Sequence, residues 1–221
     1  MKKRLSCLFL VLVLCLTLPV TAFASENGSN ENFEFIPMTM EEYVSNKAES
    51  LGISYDEADQ LVVKSINDTL SEIFPLTRGG SFVGSSSEEV NGTRFTTGYI
   101  QYTETVANTN GKIKIKISVP ALMIETSVGR YLSDVSTDQA RIYEASSGTY
   151  TIAQHTTQVT VNFKDKFTVV MSGAGNVEIT YGNAVEIGID MEFFGYSENT
   201  SYNTYTRIPF VIGTTYKVPN R

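Results

Sequence analysis

The chain has very few of the residues on which disulfide-bonded and metal-dependent proteins rely: its 221 residues include two Cys, one His and no Trp. Both cysteines, Cys7 and Cys15, lie within residues 1–24. Without that segment there is no disulfide, no thiol nucleophile and no thiolate zinc site. The single His155 excludes a metal site built on two histidines. We therefore expect no cofactor, no metal and a fold held by packing and hydrogen bonds.

Residues 1–24 have the pattern of a secretory signal peptide. Basic residues at 2–4 precede an apolar run, Leu8–Val20, which is too short to span a bilayer, and a small-x-small exit follows at residues 22–24. We expect cleavage after Ala24. The sequence therefore predicts a product that is secreted, either extracellular or associated with the cell surface.

The chain is acidic, with 17 Lys plus Arg, 24 Asp plus Glu and a formal charge of −7. Residues 1–24 hold three basic and no acidic side chains, so their removal lowers the charge to −10. This charge repels phosphate backbones, and it indicates that nucleic acid is not a partner. No second apolar stretch approaches the roughly 20 residues of a membrane helix, so no membrane span is expected.

The N-terminal part of the chain predicts a flexible leader followed by a helical hairpin. Residues 25–38 include a polar run rich in Asn, Glu and Ser, which is typical of a flexible segment. The capping-box spacing then occurs twice, at Thr39–Glu42 and Ser54–Glu57, and each box precedes an amphipathic stripe. Gly52 between the stripes supplies a helix stop. A two-helix hairpin is predicted over residues 39–74.

Residues 75–92 are rich in Gly and Ser and predict a linker. The linker contains Arg78-Gly79-Gly80, a point at which an extracellular protease could cut. The helical hairpin is therefore open to a second interpretation, in which residues 25–78 form a removable pro-region.

Residues 93–221 predict an antiparallel β-sandwich, or a partly closed barrel, because short apolar–polar alternations follow one another without intervening helices. Asn110-Gly111 predicts a two-residue hairpin turn, since both residues tolerate positive φ. The alternation of Lys112–Ile117 follows that turn. A second turn is predicted at Gly173–Asn176, and the most regular strand at Val185–Phe193. The predicted fold class is mainly β, preceded by the two-helix hairpin.

One segment suggests glycoside hydrolysis. Residues Gly188–Gly195 read Gly-Ile-Asp-Met-Glu-Phe-Phe-Gly, which resembles the Glu-Ile-Asp-x-Glu-Phe-x-Gly signature of the lichenase and laminarinase family of jelly-roll hydrolases. The resemblance implies that Glu192 is the acid/base and Asp190 the assisting carboxylate. At the nucleophile position stands Gly188, which has no side chain. Only one of the two required carboxylates is in place, so an active hydrolase is not the expected outcome.

Two other features favour binding. Lys112, Lys114 and Lys116 could dock an anionic wall polymer, or they could protect a sheet edge or pair with the acidic face of the predicted Val185–Phe193 strand. The segment Tyr196–Tyr205 is rich in Tyr, Thr and Asn, and tyrosine offers a flat apolar face together with a hydroxyl.

The leading hypothesis is a secreted, non-enzymatic β-sandwich module that binds a cell-surface glycan, a wall polymer or a partner protein. No catalytic residue is assigned. The alternatives are a jelly-roll glycoside hydrolase using Asp190 and Glu192, and a β-pore-forming, toxin-like protein suggested by the long Thr-rich strands. The expected ligand-binding residues are Tyr196, Tyr202, Tyr205, Asp190 and Glu192.

Overall fold

The computed structural model describes residues 32–75, 89–90, 92–145, 148–153, 158–195, 197, 201 and 203–219. Within these residues the chain forms two antiparallel sheets, and a helical hairpin lies near the N-terminal end of the described part. A shared apolar core draws on strands of both sheets. The predicted fold class, a mainly β antiparallel sandwich with an N-terminal two-helix hairpin, is confirmed.

The hairpin consists of α1 (Met40–Leu51) and α2 (Tyr55–Ile73). Both predicted capping boxes form: the Glu42 amide donates to Thr39 Oγ1 at 3.1 Å, and the Glu57 amide donates to Ser54 Oγ at 3.3 Å. Gly52 has φ 66°, a left-handed conformation that ends α1 and lets the chain reverse. Local chemistry alone therefore fixes the start and the end of α1 and the start of α2.

Sheet A is built around two long central strands. Its strands β1 (Phe33–Met38), β3 (Thr93–Thr105), β4 (Lys114–Thr126) and β5 (Gly129–Val135) lie in that order, β2 (Glu89–Val90) pairs with β3, and β6 (Arg141–Glu144) pairs with β4. Asn110 and Gly111, at φ 50° and 78°, form a turn at the predicted place. The connection between β3 and β4 is longer than the predicted two-residue hairpin, because it comprises residues 106–113. The Lys112 amide closes this turn on the Thr109 carbonyl at 2.9 Å.

Strand β1 is a departure from the sequence-based expectation. Phe33–Met38 lie in the predicted flexible leader, yet they pair with residues 97–102 of β3. The physical reason is the alternation within Phe-Glu-Phe, because Phe33 and Phe35 pack against the inter-sheet core while Glu34 stays exposed. A mainly polar leader therefore ends in an edge strand. The predicted linker is mostly outside the described residues, although β2 lies within it.

Sheet B has β9 (Thr168–Thr180) at its centre. On one side β9 pairs with β10 (Tyr205–Lys217), and on the other with β7 (Thr151–Ile152) and β8 (Gln158–Asp165). The predicted turn at Gly173–Asn176 is wrong, since these residues lie inside β9. A Cβ on Gly173 would lie 2.2 Å from Ile142 Cδ1 and 2.6 Å from the Gln158 carbonyl oxygen, so this glycine serves close packing.

The predicted strand Val185–Phe193 is also wrong. The segment instead forms α3 (Tyr181–Glu186), a turn, and a 3-10 helix at Glu192–Phe194. Thr180 caps α3 by accepting from the Asn183 amide at 3.2 Å. Gly188 turns the chain at φ 72°, and the Ile189 amide donates to the Ala184 carbonyl at 2.9 Å. Ile189 is buried through this turn, so alternating hydrophobicity arises here without a strand.

Two apolar clusters hold the layers together. The first lies between the sheets and includes Ile115, Ile117 and Val119 of β4. The second lies between sheet A and the hairpin, and there Leu122 and Ile124 of β4 meet both helices. β4 is therefore buried on both faces, and the hairpin is the third layer of the molecule.

A polar network ties the hairpin to β5. Asp134 accepts from the Tyr43 hydroxyl at 2.9 Å and from Lys47 Nζ at 2.5 Å, and Ser136 Oγ donates to the Tyr43 hydroxyl at 3.3 Å. Burial, reinforced by Asp134, raises the pKa of Tyr43 well above its usual value. Among the described helices, none combines the length and hydrophobicity needed to cross a membrane.

Tyr216 gives the inter-sheet core a pH-dependent stability. Its ring centroid lies 5.4 Å from that of Phe33, and burial raises its pKa from 10.0 to about 12, with Arg130 acting in the opposite direction. The unfolded chain deprotonates first, so this stabilisation is complete below pH 10 and is lost as the pH rises towards 12. We expect the loss to reach about 2–3 kcal/mol.

The measurement is the free energy of unfolding by urea, at pH 9 and at pH 11.5, for the wild type and for Tyr216→Phe. The variant should lose less stability between the two pH values than the wild type. Equal losses in the two proteins would contradict the assignment to Tyr216.

Candidate functional site

The residues predicted to bind ligand do not form a described site. Tyr196 and Tyr202 lie outside the described residues, as does His155. Tyr205 begins β10 opposite Thr180 and is 68% exposed. Asp190 and Glu192 occupy one exposed turn, in which the Glu192 amide donates to Asp190 Oδ1 at 3.1 Å.

The turn at Asp190 and Glu192 differs from the strand geometry that the glycosidase resemblance implies. On a strand, Asp190 and Glu192 would project from one face into a shared cleft. In the structure Asp190 Oδ1 instead accepts a hydrogen bond from the Glu192 amide, at the first residue of the short 3-10 segment. The strand geometry on which the resemblance depends is therefore not formed by these residues.

A different group of functional side chains comes together on the outer face of sheet A, next to the hairpin. Antiparallel register places directly opposed residues on the same face of a sheet. Glu34 lies opposite Gln101, Gln101 opposite Ser118, and Ser118 opposite Arg141. The adjacent row places Thr103, Lys116 and Tyr143 side by side. We call this surface the Tyr143 face; it consists of Glu34, Tyr99, Gln101, Thr103, Lys114, Lys116, Ser118, Arg141 and Tyr143.

Gln101 and Tyr143 form the centre of this face. The Gln101 side chain is 2% exposed, and its amide nitrogen is hydrogen-bonded to the Tyr143 hydroxyl. Its amide oxygen has no hydrogen-bond partner among the described residues. The Tyr143 side chain lies above this amide and remains 37% exposed. A buried amide thus positions an exposed aromatic ring, which is an arrangement suited to stacking and hydrogen bonding.

The electrostatics of Tyr143 show which groups surround its hydroxyl. Burial is the main cause that raises its pKa, and the negative charge of Glu34 and the neighbouring Tyr99 act in the same direction. A hydrogen bond with Ser118 acts in the opposite direction. The hydroxyl therefore stays protonated at neutral pH and can both donate and accept hydrogen bonds.

The basic residues of this face have no acidic partner in the part of the chain that the structure describes. Lys114, Lys116 and Arg141 take part in none of the ion pairs found in the described part of the chain. Those ion pairs join Lys47 to Asp134, Arg130 to Glu125 and Arg207 to Glu178. The predicted alternative, in which the lysines pair with an acidic strand at Val185–Phe193, does not form. Glu34 is the one carboxylate among the residues that define the face.

A small cleft opens at the border between the two sheets. Its volume is about 50 Å³, and it is lined mainly by apolar groups together with the Arg130–Glu125 ion pair. An engineered apolar cavity that binds benzene measures roughly 150 Å³, so this cleft is too small to enclose a sugar ring. The lining residues are Phe35, Thr96, Met123, Glu125, Arg130, Tyr216 and Pro219.

Two of the nine residues of the Tyr143 face, Lys114 and Lys116, were expected from the sequence to lie on one exposed surface. The strict alternation of Lys112–Ile117 correctly indicated that Lys114 and Lys116 share a face, although Lys112 precedes β4. The short strand β6, which supplies Arg141 and Tyr143, was not predicted. Its four residues carry too little periodicity to be recognised locally.

No three His, Cys, Asp or Glu side chains lie together as a metal site within the described ranges. No protein-family model, curated protein or solved structure matches the chain.

The position of Glu34 predicts a shift in the titration of Tyr143. Replacing Glu34 by Gln removes a negative charge that disfavours the phenolate, so the pKa of Tyr143 should fall. The pKa is measured by NMR on ¹³C-labelled tyrosine rings, with Tyr143→Phe identifying the resonance. Glu49→Gln, an equivalent charge change on α1, is the control. An unchanged pKa in Glu34→Gln would show that Glu34 does not face the hydroxyl.

Proposed function

We propose that this chain is a secreted, non-enzymatic β-sandwich module that binds an anionic polymer of the cell surface through the Tyr143 face. The observation that carries the proposal is the group of Lys114, Lys116 and Arg141, which form no ion pair with any described acidic residue and lie beside an oriented aromatic ring. Such a group stands out in a chain whose formal charge is −7.

The basic residues supply attraction at more than one point. Lys114 and Lys116 project from the same face of β4, so their backbone positions are separated by about 6.6 Å. Arg141 lies across the sheet, opposite Ser118. Each exposed contact with an anionic group contributes little, about 0.2–1 kcal/mol, so a useful affinity needs several contacts at once. A polymer with repeated negative charges meets this requirement better than a single small anion does.

The tyrosines supply the second kind of contact. Tyr143 presents part of its ring to solvent, and Tyr99 lies nearby on the same face. A flat ring can stack on the apolar face of a sugar, while its hydroxyl bonds to sugar hydroxyls. Glu34 disfavours anionic groups at one side of the ring. The face is therefore suited to a polymer that combines anionic groups with sugar units.

The non-enzymatic part of the proposal is supported by the local structure of the Asp190–Glu192 turn. Asp190 accepts a backbone hydrogen bond there, and Gly188 provides a turn and no side chain. Retaining and inverting glycosidases both need two carboxyl groups held across one glycosidic bond. These residues supply no such pair on a strand face.

Binding is tested with immobilised hyaluronate and with long-chain polyphosphate, using dextran as the neutral polymer. The wild type should bind both polyanions at low salt and lose affinity as salt is added. The triple variant Lys114→Gln/Lys116→Gln/Arg141→Gln should bind both about 3- to 150-fold more weakly, because three contacts are lost. Tyr143→Ala should weaken binding to hyaluronate more than binding to polyphosphate.

The matched control is Lys64→Gln/Arg94→Gln/Lys164→Gln, which makes the same change of charge at exposed positions elsewhere. This control should retain most of the affinity. Equal losses in the two triple variants would mean that net charge, and not the Tyr143 face, governs binding. Absence of polyanion binding by the wild type would overturn the proposal.

Catalysis is tested separately with a mixed-linkage β-glucan. Wild type and Glu192→Gln should release the same background level of reducing ends, because Glu192 has no catalytic role in this proposal. Glu186→Gln is the control for a neighbouring exposed carboxylate. Turnover by the wild type that is lost specifically in Glu192→Gln would establish a hydrolase instead.

A further inference from the structure

Strand β10 has one long edge that pairs with no other described strand. Its thirteen residues, Tyr205–Lys217, pair with β9 along one side. An unpaired edge carries a row of backbone N–H and C=O groups that can add a further strand. Val211, near the middle of this edge, is 79% exposed.

The neighbouring strands show which residues of β10 direct their backbone groups outward. The Ala153 amide donates to the Asn176 carbonyl at 2.9 Å, so the backbone groups of Asn176 point away from β10. Pro209 lies opposite Asn176 and therefore occupies a non-hydrogen-bonded pair. Since backbone direction alternates along a strand, the odd-numbered residues of β10 direct their N–H and C=O groups to the open edge.

Pro209 divides this edge into two parts. Proline has no N–H, so the edge lacks a donor at that residue, as is usual for protected edges. On the C-terminal side the donors continue without interruption, at Val211, Gly213, Thr215 and Lys217. We call Val211–Lys217 the open half of β10.

We propose that the open half of β10 pairs antiparallel with the same segment of a second copy of this chain. The best register places the two-fold axis at Thr214, so that Val211 lies opposite Lys217 of the second copy and Gly213 opposite its Thr215. All four outward donors on each chain then find acceptors, which gives about eight inter-chain hydrogen bonds. Pro209 lies just beyond the paired segment and leaves no donor missing within it.

The side chains are compatible with this register. Each Lys217 lies opposite a valine and not opposite the other lysine, so like charges are kept apart across the pair. Gly213 has no atom within 4 Å of its Cβ position, which leaves space beside the partner's Thr215. Arg207, paired with Glu178, lies beyond Pro209 and outside the paired segment. The resulting interface is self-complementary, as a two-fold dimer requires.

The test is sedimentation velocity of the full chain without its signal segment, from about 5 µM to 1 mM, a range that covers weak association. The wild type should pass from monomer to dimer, and added salt should favour the dimer by screening repulsion between acidic copies. Polyanion binding should respond to salt in the opposite direction, so the two proposals fail independently. A protein that stays monomeric throughout would overturn this one.

Thr215→Pro removes an outward donor without touching the β10–β9 ladder, and Pro209 shows that an outward position of this strand accepts proline. Its dimer should dissociate at a concentration at least about tenfold higher, because two hydrogen bonds are lost per dimer. Thr215→Val keeps the donor and should dimerise like the wild type. Equal dimerisation of Thr215→Pro would exclude this edge.

Amide hydrogen exchange of the wild type gives a second measurement that needs no variant. The outward amides of Val211, Gly213, Thr215 and Lys217 should become protected as the concentration rises, while those of Tyr205 and Arg207 should not. Exchange at the open half that is fast and independent of concentration would overturn the proposal. Protection at Tyr205 and Arg207 instead would contradict the register.

Discussion

The burial of strand β4 on both faces is the constraint on which the rest of the structure depends. Its odd-numbered residues, such as Ile117, face sheet B, while Leu122 and Ile124 face the helices. A strand with two buried faces needs a cover on each side, and the hairpin is that second cover. The hairpin therefore stabilises the sandwich directly, and the Tyr43–Asp134–Lys47 network fixes its orientation.

The same strand explains where the Tyr143 face lies. The hairpin covers the Leu122 end of the outer face of sheet A, and the residues nearer the start of β4 on that face become polar, from Ser118 to Lys114. β6 pairs with this uncovered part and adds Tyr143. One face of one sheet thus changes from an apolar interface to a solvated, basic and aromatic surface. The boundary between the apolar and the polar part of this face lies where the cover by the hairpin ends.

The sequence-based predictions were accurate where a feature depends on residues close together in the chain, and less accurate where it depends on distant ones. The capping boxes depend on residues within four positions, and both form as predicted. Asn110 and Gly111 also turn the chain with positive φ, but they do so inside the longer connection 106–113 and not in a two-residue hairpin. The prediction of a strand at Val185–Phe193 was wrong, because a turn that buries every second residue produces the same apolar alternation as a strand. The Tyr143 face could not be predicted as a unit, since the pairing of four strands assembles it from residues 34 to 143.

The position of the hairpin has a consequence for the order in which the molecule can form during synthesis. α1 and α2 are made first, but the apolar residues that cover them, Phe95, Leu122 and Ile124, are made later. Isolated helices of this length are marginal in water, so the hairpin cannot complete its packing until β4 has been made. β1 likewise cannot pair until β3 has been made. Residues 33–73 are therefore synthesised before the strands against which they pack.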